Sequence, residues 1–129
     1  MDHRPVILFI EDEDQQREAL LGVMEAEGFT VRAVPSAEQA LRQLERETPD
    51  MIVTDVKLPG MDGITMYEKI REGLPVVPFL FITGYNDPRA IDHVRNLGAT
   101  AYVTKPYELE DLLELIRKSL PNSGSPARS

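Results

Sequence analysis

Short apolar runs alternate along the chain with longer stretches in which apolar residues recur at helical spacing. The alternation occurs five times and is typical of an α/β fold, in which a parallel sheet carries helices on its faces. The runs predict these strands: Val6 to Ile10, Thr30 to Val34, Met51 to Thr54, Phe79 to Thr83 and Ala101 to Thr104. Four of them are almost continuously apolar, which indicates coverage on both faces. In the second, Arg32 lies among apolar neighbours and favours a sheet edge.

The stretches between the strands carry apolar stripes that predict helices packed on the sheet. The stripes are Leu20, Leu21 and Met24; Ala40, Leu41 and Leu44; Ile91, Val94 and Leu97; and Leu109, Leu112, Leu113, Ile116 and Leu120. Helix starts are indicated by Ser36 with Gln39, which form a capping box, and by Asp87 directly before a proline. Gly28 and Gly98 follow the first and fourth stripes, where glycine commonly ends a helix.

Length and charge limit the classes of protein to be considered. The 129 residues suit one core, and we expect residues 1–120 to form the domain and residues 121–129 to be a linker or a frayed end. The first apolar run is too short for a secretory signal or a membrane span, so we expect a cytoplasmic protein. A formal net charge of −8 argues against direct nucleic acid binding by this chain.

Polar side chains lie at the ends of four of the five predicted strands. Glu11 and Asp12 follow the first strand, Asp55 follows the third, Thr83 ends the fourth and Lys105 follows the fifth. The carboxyl ends of parallel strands share one edge of the sheet, where ligands bind. Three carboxylates at this edge would repel one another unless a cation neutralised them. Hard oxygen ligands favour Mg²⁺, so the pattern predicts a magnesium site.

Asp55 is the candidate nucleophile of this site. An aspartate can accept a phosphoryl group, and such chemistry depends mainly on positioning and on neutralisation of charge. The Lys105 ammonium suits a phosphoryl oxygen, and the Thr83 hydroxyl is a small donor. The segment after Asp55 turns through proline and glycine, and Asp62 is placed to begin the next helix. We expect this loop to lie against the metal site.

Each of these residues has a simpler interpretation when it is taken alone. Residues 11–14 could be a solvated acidic turn, Thr83 a hydroxyl that satisfies a strand end, and Lys105 a surface charge. Asp55 could be a turn residue and Tyr102 part of the core. The combination of acidic, hydroxyl and basic groups at the ends of separate strands is what favours a functional site.

Four segments together resemble a known family: EDE after the first strand, TDVKLPGMDG around the end of the third, FITG at the fourth and AYVTKPY around the fifth. They resemble the receiver domains of two-component response regulators, and the likeness extends over roughly Arg4 to Leu120. The resemblance implies an α/β, flavodoxin-like, doubly wound sheet of five parallel strands in the order 2-1-3-4-5, with five helices.

The resemblance also implies a role for each residue of the predicted site. Asp55 would be the phosphoacceptor, Asp12 a direct Mg²⁺ ligand and Glu11 a ligand through water. The backbone carbonyl of Lys57 would be a further ligand, and Thr83 and Lys105 would contact the phosphoryl group. The implied cofactor is Mg²⁺, with Mn²⁺ as an alternative ion.

The same resemblance implies a signalling module rather than an enzyme. Its phosphoryl group would come from a phosphohistidine on a sensor histidine kinase or a histidine phosphotransfer protein. Tyr102 would turn inward when Thr83 moves, altering the face of helix four, strand five and helix five toward an output domain, a partner protein or a second copy. The Lys105–Pro106 bond would be cis. Lys57 and Tyr85 occupy positions that tune the aspartyl-phosphate lifetime in this family.

Three other functions share parts of this pattern. A flavodoxin-like cofactor binder would need a loop of small residues and free N–H groups after the first strand, whereas this chain has EDED there. Aspartyl-phosphate hydrolases resemble one another in a second aspartate two residues after the nucleophile, where this chain has Lys57. The third is a receiver-like interaction module that does not accept phosphate.

Overall fold

The computed structural model describes residues 4–74, 76–84, 86–98 and 101–120, so Tyr85 and the predicted tail of residues 121–129 lie outside the described residues. Strands and helices alternate along the chain. They are β1 (Val6–Ile10), α1 (Asp14–Ala26), β2 (Thr30–Val34), α2 (Ala37–Leu44), β3 (Met51–Asp55), α3 (Gly63–Gly73), β4 (Phe79–Gly84), α4 (Pro88–Asn96), β5 (Ala101–Lys105) and α5 (Leu109–Ser119). No helix in these ranges combines the length and the hydrophobicity needed to cross a membrane.

The five strands form one parallel sheet in the order β2-β1-β3-β4-β5, as predicted. The direction of winding reverses between β1 and β3, and a crevice opens at such a point beyond the carboxyl ends of the strands. β2 is an edge strand, also as predicted. β5 is the other edge, as the same order implies; Ala101 and Val103 pack against one core layer and Tyr102 against the other, although all five residues of the strand are partly exposed.

Helices cover both faces of the sheet and divide the core into two layers. Successive side chains of a strand point to opposite faces. Ile7 and Phe9 therefore pack in the layer beneath α1 and α5, whereas Leu8 and Ile10 pack in the layer beneath α2, α3 and α4. This explains the continuous apolar run of β1. Leu109 departs from the prediction, because its side chain at the start of α5 is 39% exposed.

Side-chain caps start three of the helices, at the three residues that the sequence placed at helix starts. The bonds are Gln39 N–H to Ser36 Oγ (3.1 Å), Thr65 N–H to Asp62 Oδ1 (2.8 Å) and Ala90 N–H to Asp87 Oδ1 (3.2 Å). Each cap satisfies a backbone N–H that has no partner inside the helix. Gly28 and Gly98 follow α1 and α4 with φ of +102° and +75°, which confirms the predicted helix ends.

Candidate functional site

The parallel ladder brings the candidate residues to one edge of the sheet. Asp55 is the last residue of β3 and pairs with Ile82, and Lys105 is the last residue of β5 and pairs with Gly84. The predicted third and fifth strands stop one residue too early, because the backbone pairing continues through Asp55 and Lys105. Both side chains are therefore carried by the rigid sheet rather than by a loop.

Three carboxylates converge at this edge. One oxygen from each of Glu11, Asp12 and Asp55 lies within 4.8 Å of the other two, a spacing that allows one cation to be shared. Glu11 and Asp55 are only 3% and 7% exposed, whereas Asp12 is exposed. The cluster thus has two buried members and one that faces solvent.

The electrostatics of Asp55 fit a bound cation. Burial raises the pKa of its carboxyl group to about 8; the nearby Glu11 carboxylate acts in the same direction, and the Lys105 ammonium opposes both. Among the described residues, the buried Oδ1 of Asp55 has no hydrogen-bond partner. The pKa of Tyr107 is also raised, chiefly by burial and then by the charges of Asp55 and Glu11. A buried acceptor without a donor suits a hard divalent ion.

Lys105 supplies the positive charge nearest to the carboxylates. Its Nζ lies 3.6 Å from Asp55 Oδ2 and 3.9 Å from Glu11 Oε1, and it donates a hydrogen bond to Gln16 Oε1 at 3.3 Å. Gln16 holds the ammonium from α1, and the sequence analysis missed it because no motif marks one glutamine in a polar first turn. The Lys105–Pro106 bond is cis, as the resemblance implied.

The backbone and α1 hold Glu11 in place. Its N–H donates to Val34 O at 3.1 Å, which extends the pairing of β1 with β2 by one residue. Its Oε2 accepts the Glu13 N–H at 3.0 Å, and its backbone carbonyl accepts from Arg17 Nη1 at 3.0 Å. Arg17 is a second positioning residue that the sequence analysis missed.

A cleft of about 270 Å³ opens beside Asp55. Its described lining is Asp55, Lys57, Ile82, Thr83, Gly84, Asn86, Asp87 and Lys105. Thr83 is 5% exposed, and its position places a hydroxyl in the wall. Lys57 Nζ lies 3.3 Å from Asp87 Oδ2 across the cleft. The pKa of Asp87 is lowered, first by the Ala90 N–H that it caps and also by Lys57. Since one water takes up about 30 Å³, the cleft can admit a phosphoryl group together with water.

The loop after β3 packs closely against Asp55. Gly63 begins α3, and its N–H donates to Val56 O at 2.8 Å. A Cβ at Gly63 would lie only 2.3 Å from the backbone oxygen of Asp55, so a larger residue could not take this position without a shift of the backbone. Glycine therefore permits the close contact of this loop with the site.

Tyr102 lies on the edge strand β5 and packs, partly buried, against the layer beneath α2, α3 and α4. Its hydroxyl accepts a hydrogen bond from Arg95 Nε at 3.2 Å, and the Arg95 guanidinium carbon lies 5.9 Å from the centroid of its ring. Tyr102 pairs with Phe81 in the sheet, and Thr104 pairs with Thr83. The tyrosine is thus bonded to α4, and it lies two residues before Thr104, which pairs with Thr83. Tyr102 was predicted from the sequence, whereas Arg95 was not.

Comparison with known proteins places the chain among signalling proteins. The family model described as response regulator receiver domain matches residues 7–117. The chain is 39% identical over 113 residues to the response regulator protein FleR of Pseudomonas aeruginosa, covering 87% of this chain and 24% of FleR. It is 38% identical over 120 residues to the transcriptional regulatory protein CseB of Streptomyces coelicolor, covering 92% of this chain and 50% of CseB.

A solved structure agrees with these relatives. The signal receiver domain of an HD domain-containing protein from Pseudomonas fluorescens Pf-5 superposes with a TM-score of 0.86 at 27% identity, covering 95% of this chain and 99% of that one. The chain spans between about a quarter and a half of the length of FleR and CseB.

Proposed function

The chain belongs to the response regulator receiver domain family, whose general role is to accept a phosphoryl group, and we propose that Asp55 is the acceptor in this chain. The observation that carries the proposal is the state of the Asp55 carboxyl group. It is buried, one of its oxygens has no hydrogen-bond partner among the described residues, and it lies 3.6 Å from Lys105 beside an open cleft.

The phosphoryl donor in this proposal is a phosphohistidine on a sensor histidine kinase or a histidine phosphotransfer protein. An Asp55 oxygen attacks the phosphorus; the new O–P bond forms as the P–N bond breaks, and the histidine imidazole leaves with the electron pair and takes up a proton. Lys105 and the Thr83 hydroxyl contact the transferred oxygens. Their placement at the wall of the cleft supports this assignment.

The proposed cofactor is Mg²⁺, with Mn²⁺ as an alternative. Asp12 and Asp55 would bind it directly, Glu11 through water, and the backbone carbonyl of Lys57 would be a further ligand. When bound, the ion supplies the positive charge that keeps Asp55 a carboxylate and neutralises phosphoryl oxygens. The convergence of the three carboxylates and the raised pKa of Asp55 support this ligand set.

We further propose that phosphorylation alters the face formed by α4, β5 and α5. Movement of Thr83 toward the phosphoryl group would change the packing beside Tyr102, whose hydroxyl bond to Arg95 is the contact that would break. The face would then bind an output domain or partner protein, or form a homodimer. In this role the chain assists its own phosphorylation and dephosphorylation and acts on no separate substrate.

Intact-mass measurement tests the acceptor. Wild-type protein treated with acetyl phosphate and Mg²⁺ should gain one phosphoryl group, and Asp55→Asn should gain none. Asp92→Asn, which removes an exposed carboxylate on α4, is the matched control and should be labelled like the wild type. Labelling of Asp55→Asn would identify another acceptor. Absence of label from the wild type would favour an interaction module that takes no phosphate.

A further inference from the structure

Two carboxylates, one in α2 and one at the residue that caps α4, hold the β3–α3 loop, which comprises residues 56–62. On one side, Glu38 Oε2 of α2 accepts the Met61 N–H at 3.1 Å. On the other side, Asp87 Oδ2 lies 3.3 Å from Lys57 Nζ. Within the described part of the chain, these are the hydrogen bonds and ion pairs that join residues 57–61 to the rest of the protein. The loop therefore depends on a small number of polar contacts.

The Glu38 carboxylate also lies directly against the loop backbone. Gly60 has a φ of +75°, and a Cβ at this residue would lie 2.9 Å from Glu38 Oε2. Glu38 is in the first turn of α2, where the helix dipole favours a negative charge. Hydrogen bonds from its own N–H and then from the Met61 N–H lower the pKa of its carboxyl group. The acceptor is thus an anion, which forms a stronger hydrogen bond than a neutral group does.

Burial fixes the other end of the same loop. Val56 and Leu58 are 5% and 9% exposed and pack in the layer beneath α2, α3 and α4. Lys57 lies between these two apolar anchors, and the exposed turn at Pro59 and Gly60 follows them. The backbone of Lys57 therefore has a core anchor on each side. Beyond the exposed turn, Met61 packs partly buried against the same layer, and its N–H is held by the bond to Glu38. Loss of that bond would free the turn and let its motion reach Leu58.

We propose that Glu38 is a positioning residue for the magnesium site, because its bond to the Met61 N–H fixes the loop that carries the Lys57 carbonyl. This inference rests on the proposed function, in which that carbonyl is a metal ligand. Residues that orient a ligand from outside the coordination sphere commonly change metal affinity by about 10–100-fold. The Met61 N–H that Glu38 holds is four positions along the backbone from Lys57. We therefore expect a smaller change in Mg²⁺ affinity, of roughly threefold to tenfold.

Calorimetric titration with Mg²⁺ alone tests the proposal without reference to phosphorylation. Glu38→Ala should bind Mg²⁺ roughly threefold to tenfold more weakly than the wild type. Glu38→Gln should bind Mg²⁺ more tightly than Glu38→Ala, because the amide oxygen can still accept the Met61 N–H, although as a neutral acceptor. Glu68→Ala is the matched control: Glu68 is an exposed helical glutamate on α3, and its removal changes the net charge equally without touching the loop.

The hydrogen-exchange rate of the Met61 amide is a second readout, and a loss of charge without loss of the hydrogen bond should not change it. Exchange should be faster in Glu38→Ala, whereas it should stay slow in Glu38→Gln and Glu68→Ala. Equal weakening of Mg²⁺ binding in Glu38→Ala and Glu38→Gln would overturn the proposal, because the effect would then follow the charge and not the bond.

The failure of this inference can be told apart from failure of the proposed function. Faster Met61 exchange in Glu38→Ala with unchanged Mg²⁺ affinity would overturn the positioning role and leave the metal site standing. A wild-type protein that binds no Mg²⁺ would overturn both the metal site and the role of Glu38.

Discussion

The buried carboxyl group of Asp55 should make the stability of the metal-free protein fall as pH rises, and Asp55→Asn should abolish this dependence. Burial, reinforced by Glu11 and opposed by Lys105, raises the pKa of Asp55 from its ordinary value of 3.8 to about 8. At pH 5 to 7 the folded protein therefore holds a proton on this group that the unfolded chain has released. The asparagine variant keeps the shape of the side chain but has no proton to exchange.

The size of the effect follows from proton linkage. For a group whose folded pKa is raised, the stabilising contribution is fully present below the unfolded pKa and is lost as pH rises toward the folded pKa. One proton per chain corresponds to about 1.4 kcal/mol per pH unit. Between pH 5 and pH 7 the free energy of unfolding of the wild type should fall by about 2.7 kcal/mol relative to Asp55→Asn.

Urea unfolding at pH 5, 6 and 7 in the presence of a chelator measures this difference directly. Titrating groups that do not interact with Asp55 contribute equally to both proteins and cancel when the two free energies are subtracted. Asp92→Asn controls for the loss of one exposed carboxylate. In saturating Mg²⁺ the difference in unfolding free energy between the two proteins should depend less on pH, because a cation favours the ionised form of Asp55.

A difference between wild type and Asp55→Asn that stays constant from pH 5 to 7 without metal would refute the reasoning. It would mean that Asp55 is ionised in the folded metal-free protein. The Lys105 ammonium would then neutralise it sufficiently without a divalent ion.

Three further outcomes are expected. Mg²⁺ at about a hundred times its Kd should stabilise the wild type by about 2.7 kcal/mol and Asp12→Ala much less, as measured by thermal unfolding; equal gains would remove Asp12 from the metal site. Gly63→Ala should lower the free energy of unfolding by about 1–3 kcal/mol, since its Cβ would lie 2.3 Å from a backbone oxygen of β3. Gly73→Ala is the control: its Cβ would meet nothing within 4 Å, so this variant should be as stable as the wild type or more stable in the same assay. Lys105→Ala should fold but uncouple phosphorylation from changes at Tyr102; ring NMR signals of Tyr102 that shift on phosphorylation as in the wild type would contradict the relay.

The sequence predicted those features whose signal is local. Apolar runs and capping residues gave the strands and the starts of α2 and α4. The positions of Glu11, Asp12 and Asp55 at strand ends led to the expectation that they meet, because parallel strands end at one edge. The partial exposure of β5 could not be predicted, since an apolar run does not reveal how completely the neighbouring helices cover a strand.

The supporting residues could not be predicted because they are ordinary polar residues of helix surfaces. Glu38 and Glu68 are both exposed glutamates within helices, and nothing in their local sequence separates them. Of these two glutamates, Glu38 is the one that contacts the β3–α3 loop, and this contact depends on how α2 packs beside that loop. Gln16 and Arg95 contact Lys105 and Tyr102 for the same kind of tertiary reason.

The arrangement of charges at the sheet edge also explains why a lysine alone is not enough. Lys105 lies within 4 Å of both Asp55 and Glu11, yet the pKa of Asp55 is still raised to about 8. The Lys105 side chain is 38% exposed and shares its charge between two carboxylates, so water and Glu11 weaken its effect on Asp55. If Asp55 is the acceptor, as we propose, it would need more positive charge than Lys105 supplies to be a carboxylate at neutral pH. Under the proposed function, the competence of Asp55 would therefore depend on a bound cation, and the metal-free protein, with a protonated Asp55, would differ from the form that accepts a phosphoryl group.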